Sequence, residues 1–424
     1  MRKMLAIFLA AMLTVLCCSA AFAEETPRKG GELVVAMSFE PDTMNVYATH
    51  LMGDIQAMVV EGLLVPNGDM EYEPVLATEV PTVENGGIVM NDDGTMDITY
   101  HLVDNVYWHC GEKFTSHDVL VTWQTLHDEA WDCESKDGVY DIDSIECPDD
   151  LTVVCHYNTV TPDFAQTLFT FGIMPAHDIE GADMNDPNNG YNSSPCGTGP
   201  YKFVEWNAGE NIKLKRNENY WREGAYMDGV TILFVPDENT RITMLKAGEI
   251  DFTAGISYIN YEQVKDLPGY NTVIHGLNSW RYLTMNWKTP GLDDVNVRRA
   301  ISCAIDKDSL VNQLFAGLPT AWDQPWMPTD PYHVDGFTSE WSYDVDKANA
   351  LLDEAGYTLG ADGVRVNADG TRLEFTLITR TGQTDVILAA QVVASSLGQV
   401  GIKVNTQEYA SSEWSALTYG GEYE

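Results

Sequence analysis

The chain has 424 residues, with 24 lysines and arginines against 64 aspartates and glutamates, for a formal net charge of −40. So acidic a surface repels nucleic acid and anionic lipid, excludes both as partners, and suits a solvated, extracytoplasmic setting. A hydrophobic share of 44%, with 20 tyrosines and 11 tryptophans, suffices for large cores, and the length fits two or three domains.

Residues 1–23 read as an export signal. Arg2 and Lys3 precede the apolar run MLAIFLAAMLTVLCC, and Ala21, Phe22 and Ala23 form a small-residue cleavage site. The run is short for a permanent span. Lipid attachment at Cys17 or Cys18 competes with cleavage, but Leu16 or Cys17 stands where that chemistry wants a small residue. Cleavage after Ala23 is the expectation.

The following segment, GGELVVAMSFEPDTMN, opens on a glycine pair and a buried strand, and GDIQAMVVEGLLV reads as an apolar-faced helix running into another strand. TMDITYHLVDNVYWHCGEKFTSHDVLVTWQTLHD predicts a strand, a turn and a helix. Thr115 and Asp118 make a capping box, and Val119, Trp123 and Leu126 share one helix face. VYDIDSIECPDDLTVVCHYN alternates on both sides of Pro148, Asp149 and Asp150, which predicts a hairpin.

PCGTGPYKFVEW resembles a phosphate loop at first sight. A phosphate loop needs a helix after its glycines, and usually Lys-Ser/Thr; here an alternating strand from Tyr201, a turn at NAGE and a second strand follow. The glycines are expected to supply unusual dihedrals at the start of a hairpin. DGVTILFVPDENTRITMLKAGEIDFTAG reads as strand, helix, strand, with Asp237 and Gly248 as the caps. YLTMNW predicts a strand. DDVNVRRAISCAIDKDSLVNQLFAG predicts two helices, the second capped by Asp306, and DVDKANALLDEAGY an amphipathic helix closed by Gly356. LEFTLITRTGQTDVILAAQVVASSLGQVGIKVNTQEY is a βαβ pattern. The last residues, SSEWSALTYGGEYE, start a helix, break at Gly420–Gly421, and are expected to begin a strand at EYE, so the last domain reads as cut short.

Beyond the signal stand Cys110, Cys133, Cys147, Cys155, Cys196 and Cys303, which allow 15 pairings. Four lie between residues 110 and 155, so a local bridge fits there, and the absence of a C-x-x-C pair argues against a zinc ribbon or a thiol-redox motif, which leaves structural disulfides or buried thiols. His109 and Cys110, followed by His117 and His127, are read as surface and cap residues rather than metal ligands. No G-x-S-x-G or H-E-x-x-H is present, and 64 acids single out no catalytic carboxylate pair. The expectation is no enzyme, no cofactor and no metal. Trp280, Tyr282 and Trp287 around YLTMNW, with Trp414 and Tyr419 near the end, fit either core packing or a cleft lining.

Taken in order, VEGLLVPNGDMEYEPVLATE, YWHCGEKFTSHDVLVTWQ, GTGPYKFVEWNAGENIKLKRNENYW, DENTRITMLKAGEIDF, VNVRRAISCAIDKDSLVNQLFAG and KANALLDEAGY resemble the extracellular solute-binding proteins of family 5, the oligopeptide- and dipeptide-binding components of ABC importers. The resemblance implies an α/β, two-lobe periplasmic-binding-protein-like fold with an extra subdomain and mixed sheets, its second lobe incomplete. The implied segments are 24–62 and 191–282 for the first lobe, 63–190 for the subdomain and 283–424 for the second lobe. It also implies a monomer, without catalysis, that closes on a peptide or other small solute and docks on a membrane permease. Other solutes in view are a metal chelate such as a nickel complex, or an oligosaccharide; a truncated relic that binds nothing is the remaining alternative. The segment ATHLMG matches a cleft-lining stretch, which makes His50, Leu51 and Met52 candidates, and Trp414 matches a pocket tryptophan of oligopeptide binders. Trp280, Tyr282, Asn286 and Tyr419 complete the expected ligand-binding set. The family's aspartate for a peptide α-amino group would fall on a strand beginning near Glu424, beyond the residues of this chain.

Overall fold

The computed structural model describes residues 27–424 except 49–53, 70, 132, 134–135, 165–167, 187–188, 277–278, 329 and 331. The signal segment and His50, Leu51 and Met52 lie outside the described residues. The chain divides into two compact units, one up to Thr253 and one from Ala254 to Glu424.

In the first unit, Glu32–Met37 runs parallel to both Gly229–Phe234 and Phe252–Thr253. The hairpin of Tyr201–Asn207 and Asn211–Arg216 continues the sheet antiparallel, which makes it five-stranded and mixed. Ile212, Leu214, Val230 and Ile232 point into the core from these strands. The helix Glu238–Ala247 carries the crossover to Phe252. Its caps are those the sequence predicts: Asp237 accepts from the Thr240 amide at 2.7 Å, and Gly248 ends the helix at φ +72°.

A second, four-stranded antiparallel sheet follows the order Ile88–Met90, Met96–His101, Thr152–Tyr157, Ile142–Asp149. Met96, Ile98 and Tyr100 alternate into the core, and the helix Ser116–His127 packs here through Val119 and Leu126. The Thr115 amide donates to Asp118 Oδ2 at 2.8 Å, while Asp118 Oδ1 accepts from the Ala176 amide at 2.9 Å. One capping carboxylate therefore starts one helix and anchors the first turn of another.

The hairpin after GTGP forms, but for a different reason than dihedral freedom. Neither Gly197 nor Gly199 has a positive φ. A Cβ on Gly197 would lie 1.8 Å from the Val59 carbonyl oxygen, and one on Gly199 2.6 Å from that of Met58. Glycine is present so that two backbones can touch. The same contact shortens the helix expected over GDIQAMVVEGLLV to Asp54–Ala57. The Gly199 and Tyr201 amides take the carbonyls of Val59 and Met58 at 2.9 and 3.0 Å, and those carbonyls are lost to a continuing helix. His109 seals the junction. Its ring lies 3.3 Å from the Gly197 amide through Nδ1 and 2.9 Å from the Gly199 carbonyl through Nε2, contacts that one neutral tautomer satisfies. Burial pushes its pKa down to about 4 and keeps it neutral.

In the second unit, Glu374–Arg380 and Lys403–Tyr409 pair in parallel across the helix Thr384–Gln399, the expected βαβ unit. The helices Val295–Ala304 and Val345–Glu354 pack together through Val297, Ala300, Ala348 and Leu352. Asp306 caps Lys307–Leu314 by accepting from the Ser309 amide, and Gly356 turns at φ +81°. Buried Arg365 ties this unit together, donating to Val400 O, Tyr357 O, Asp353 Oδ1 and Asn349 Oδ1.

Three further expectations are corrected. YLTMNW is not a strand: Leu283 and Met285 pack on the core while Tyr282 and Thr284 face out, so the alternation is present without a ladder partner among the described residues. EYE is not a strand either; a helix spans Ser411–Gly420, Gly421 turns at φ +70°, and the tail follows. No disulfide joins the 110–155 group among the described residues, where Cys110, Cys147 and Cys155 are thiols.

Candidate functional site

The first unit holds a groove of about 370 Å³ lined by Val46, Gln56, Val60, Glu61, Phe171 and Arg222 among others. That volume falls within the range of small-molecule sites. Tyr47 braces the groove from behind, edge-on to Phe171 at 6.1 Å and donating to Gly172 O at 2.6 Å.

Glu61 supplies the groove's polar wall. Its carboxylate is buried and accepts from Tyr220 Oη at 2.6 Å, Arg222 Nη2 at 3.2 Å, Thr198 Oγ1 at 3.0 Å and Trp221 Nε1 at 3.1 Å. Burial first, and the Glu61 charge second, push the Tyr220 phenol far above its ordinary pKa, so it remains a donor. Arg222 stacks over the Trp221 ring at 4.8 Å and keeps about half of its side chain in solvent. The arrangement can hold an apolar group against Val60 and Phe171 and a polar or anionic group at Arg222.

The expected aromatics lie in the second unit. Trp280 and Tyr282 meet at 6.1 Å and are 46% and 74% exposed, and Tyr419 is 89% exposed. These are surface aromatics, not core. Trp414 is half-buried on the last helix, with the Arg380 guanidinium 5.6 Å over its ring. Trp287, exposed, carries Arg298 at 4.5 Å. Asn286 is tied up internally: Nδ2 donates to Gly421 O and Tyr423 O at 3.2 and 2.8 Å, and Oδ1 accepts from the Lys288 amide. It fastens the turn that follows the helix of Trp414 and Tyr419. Reading by residue type missed Glu61, Tyr220, Trp221 and Arg222. Their one local signal was a lone acid inside the apolar run MVVEGLLV, which calls for buried partners.

Two mixed-sheet α/β units, the first with a groove that sets apolar walls beside a buried acid and a half-exposed guanidinium, suit the binding of a solute. The comparisons agree. The family of bacterial extracellular solute-binding proteins, family 5 (middle region), matches residues 71–424, and the chain belongs to it. This is a family of binding proteins, not of enzymes. The chain is 29% identical to the oligopeptide-binding protein AppA of Bacillus subtilis over 401 residues, spanning 92% of this chain and 71% of AppA. It is 30% identical to protein XP55 of Streptomyces lividans over 380 residues, 88% of this chain and 66% of that protein. Among solved structures, AppA in complex with a nonapeptide superimposes with a TM-score of 0.76 at 27% identity, covering 93% of this chain and 77% of AppA. NikZ of Campylobacter jejuni in complex with Ni(L-His) does so at 0.80 and 25% identity, covering 91% and 75%. No helix among the described residues is long and apolar enough to cross a membrane.

Proposed function

We propose that this protein is exported, captures peptides outside the cytoplasm and delivers them to an ABC transporter permease. The observation carrying the reading is the superposition on the nonapeptide complex of AppA over 93% of the chain. Peptide backbone would pair with strand edges, and roomy hydrated pockets would accept varied side chains, which gives affinity without side-chain selectivity. Hinged closure would bury the ligand and present a surface to the permease. Trp280, Tyr282, Trp414 and Tyr419 are proposed to line the site with His50, Leu51 and Met52, and Asn286 to support it from behind. The protein would act as a monomer. A second reading, a metal chelate as ligand, is favoured by the superposition on the Ni(L-His) complex of NikZ.

Equilibrium dialysis of the purified protein against a mixture of di- to nonapeptides tests the proposal, with Ni(L-His) as a parallel arm. Retained peptides identified by mass spectrometry support the first reading. Retention of Ni(L-His) alone moves the assignment to the second, and retention of neither rejects both.

A further inference from the structure

Three side chains from three distant segments converge on the surface of the first unit. Cys110 follows the strand Met96–His101, His177 sits in the short helix Ala176–Ile179, and Cys196 precedes the GTGP hairpin. His177 Nε2 lies 3.2 Å from Cys110 Sγ, and the two sulfurs and one imidazole nitrogen all fall within 4.8 Å of one another. Asp178 brings a carboxylate oxygen to 3.8 Å from the same Nε2. On the opposite side of the ring, Glu112 Oε2 stands 3.7 Å from His177 Nδ1.

The cluster is held from outside. The Cys110 amide points at Cys196 Sγ at 3.3 Å, and the His109 amide donates to Gly197 O at 2.8 Å, so the two cysteine loops are locked in register. Trp108, buried, meets the His177 ring edge-on at 6.3 Å and fixes its plane. Two thiols and an imidazole are donor types of a tetrahedral zinc centre, and an acid behind the ring nitrogen that does not bind metal is its usual outer partner. A disulfide between the two sulfurs would have no use for an imidazole nitrogen aimed at one of them. The strongly acidic chain also concentrates cations near its surface.

We propose that Cys110, Cys196 and His177 bind one Zn²⁺ ion, with a water molecule in the fourth position and Glu112 orienting the His177 ring. Binding converts both thiols to thiolates and releases their two protons to solvent. The ion closes a clasp between the loop after the strand Met96–His101 and the start of the hairpin at Tyr201. This is a site apart from the groove at Glu61, and it shares no residue with the proposed solute-binding set.

The test uses the full protein, reduced, stripped of metal and handled without oxygen. Co²⁺ is titrated first and Zn²⁺ is then added as a competitor. The expected result is one Co²⁺ per chain, a thiolate-to-cobalt charge-transfer band, and displacement of that band by Zn²⁺. Cys110→Ser and Cys196→Ser should each abolish the band, whereas Cys147→Ser should leave it unchanged. Glu112→Gln should weaken Zn²⁺ binding about 10- to 100-fold. Thermal unfolding of the metal-free variants, matching that of the parent, confirms that they fold. No band from the reduced parent overturns the proposal, as does a band that survives both Cys110→Ser and Cys196→Ser. Formation of a Cys110–Cys196 disulfide at the same rate with and without Zn²⁺ also overturns it. None of these readouts involves a peptide, so they stand or fall separately from the proposed transport role.

Discussion

Glu61 and Arg222 pair across 161 residues of sequence, Nη2 to Oε1 at 3.2 Å, with the carboxylate 6% exposed and the guanidinium 47%. The asymmetry sets what each residue does. Arg222→Ala leaves the buried Glu61 carboxylate with its three neutral donors but no counter-charge, and should cost about 1–3 kcal/mol. Glu61→Ala deprives Tyr220, Trp221 and the fully buried Thr198 of their shared acceptor and should cost about 3–5 kcal/mol. Urea unfolding of both variants checks this. Equal losses would show that the buried acceptor is dispensable to its three neutral donors.

Gly197 and Gly209 separate two uses of glycine. Gly197 faces the Val59 carbonyl at a distance no Cβ can occupy, whereas Gly209 sits in open space at φ +76° in the hairpin turn. Gly209→Ala should cost about 1–2 kcal/mol from backbone strain alone. Gly197→Ala has to push two backbones apart and should cost more, about 3 kcal/mol or above, past the usual range for overpacking. Denaturant midpoints of the two variants measure the difference, and a Gly197→Ala variant as stable as Gly209→Ala would place the hairpin off residues 58–59.

That contrast shows what the sequence could carry. Local rules located the elements whose signals are local: the capping residues Thr115, Asp237 and Asp306, the hairpin around Pro148–Asp150 and the βαβ unit of the second half. Contacts between distant segments were not legible, because nothing near Val59 announces Gly197, and nothing near Cys110 announces His177 or Cys196. YLTMNW shows the limit from the other side. Alternation says which side chains face the core, and it is the same whether or not a neighbouring strand supplies hydrogen bonds. At the candidate site, composition left the aromatics open between core and cleft. Exposure of Trp280, Tyr282 and Tyr419 removes the core option, while the buried acid that shapes the groove gave only the faint signal of a charge in an apolar run.

Asp97 links stability to acid pH. Its carboxylate meets His156 Nδ1 at 2.7 Å and Asn91 Nδ2 at 3.2 Å, and the bond to His156 is the main reason its pKa lies below the ordinary aspartate value. The unfolded chain therefore binds a proton at this position before the folded one does. The stabilisation is fully present above the ordinary aspartate pKa of about 3.9 and is lost as pH falls through the lower folded value. Asp97→Asn cannot titrate. The stability gap between parent and Asp97→Asn should be constant near neutral pH and should narrow below about pH 4. Denaturant titrations across that range check the sign, and a gap that widened on acidification would mean that Asp97 is better held protonated.

Asn286 and the exposed aromatics should respond to mutation in opposite ways. Trp280, Tyr282 and Tyr419 leave much of their surface in solvent and support little packing, so alanine at each should leave the unfolding midpoint nearly unchanged. If they line the peptide site as proposed, each loss should weaken peptide binding by about 1–2 kcal/mol, roughly tenfold. Asn286 holds two tail carbonyls with one amide, and Asn286→Ala frees the turn after Gly421 together with the helix that presents Trp414 and Tyr419. That variant should lower stability by about 1–2 kcal/mol, and it should weaken binding only through the altered presentation of those aromatics. Asn286→Asp sharpens the distinction: a carboxylate facing the carbonyls of Gly421 and Tyr423 repels them, so the tail is released although the side-chain volume is conserved. Calorimetric titration alongside thermal unfolding separates the two roles. Aromatic variants that destabilise without changing affinity would move those residues from the binding surface to the scaffold.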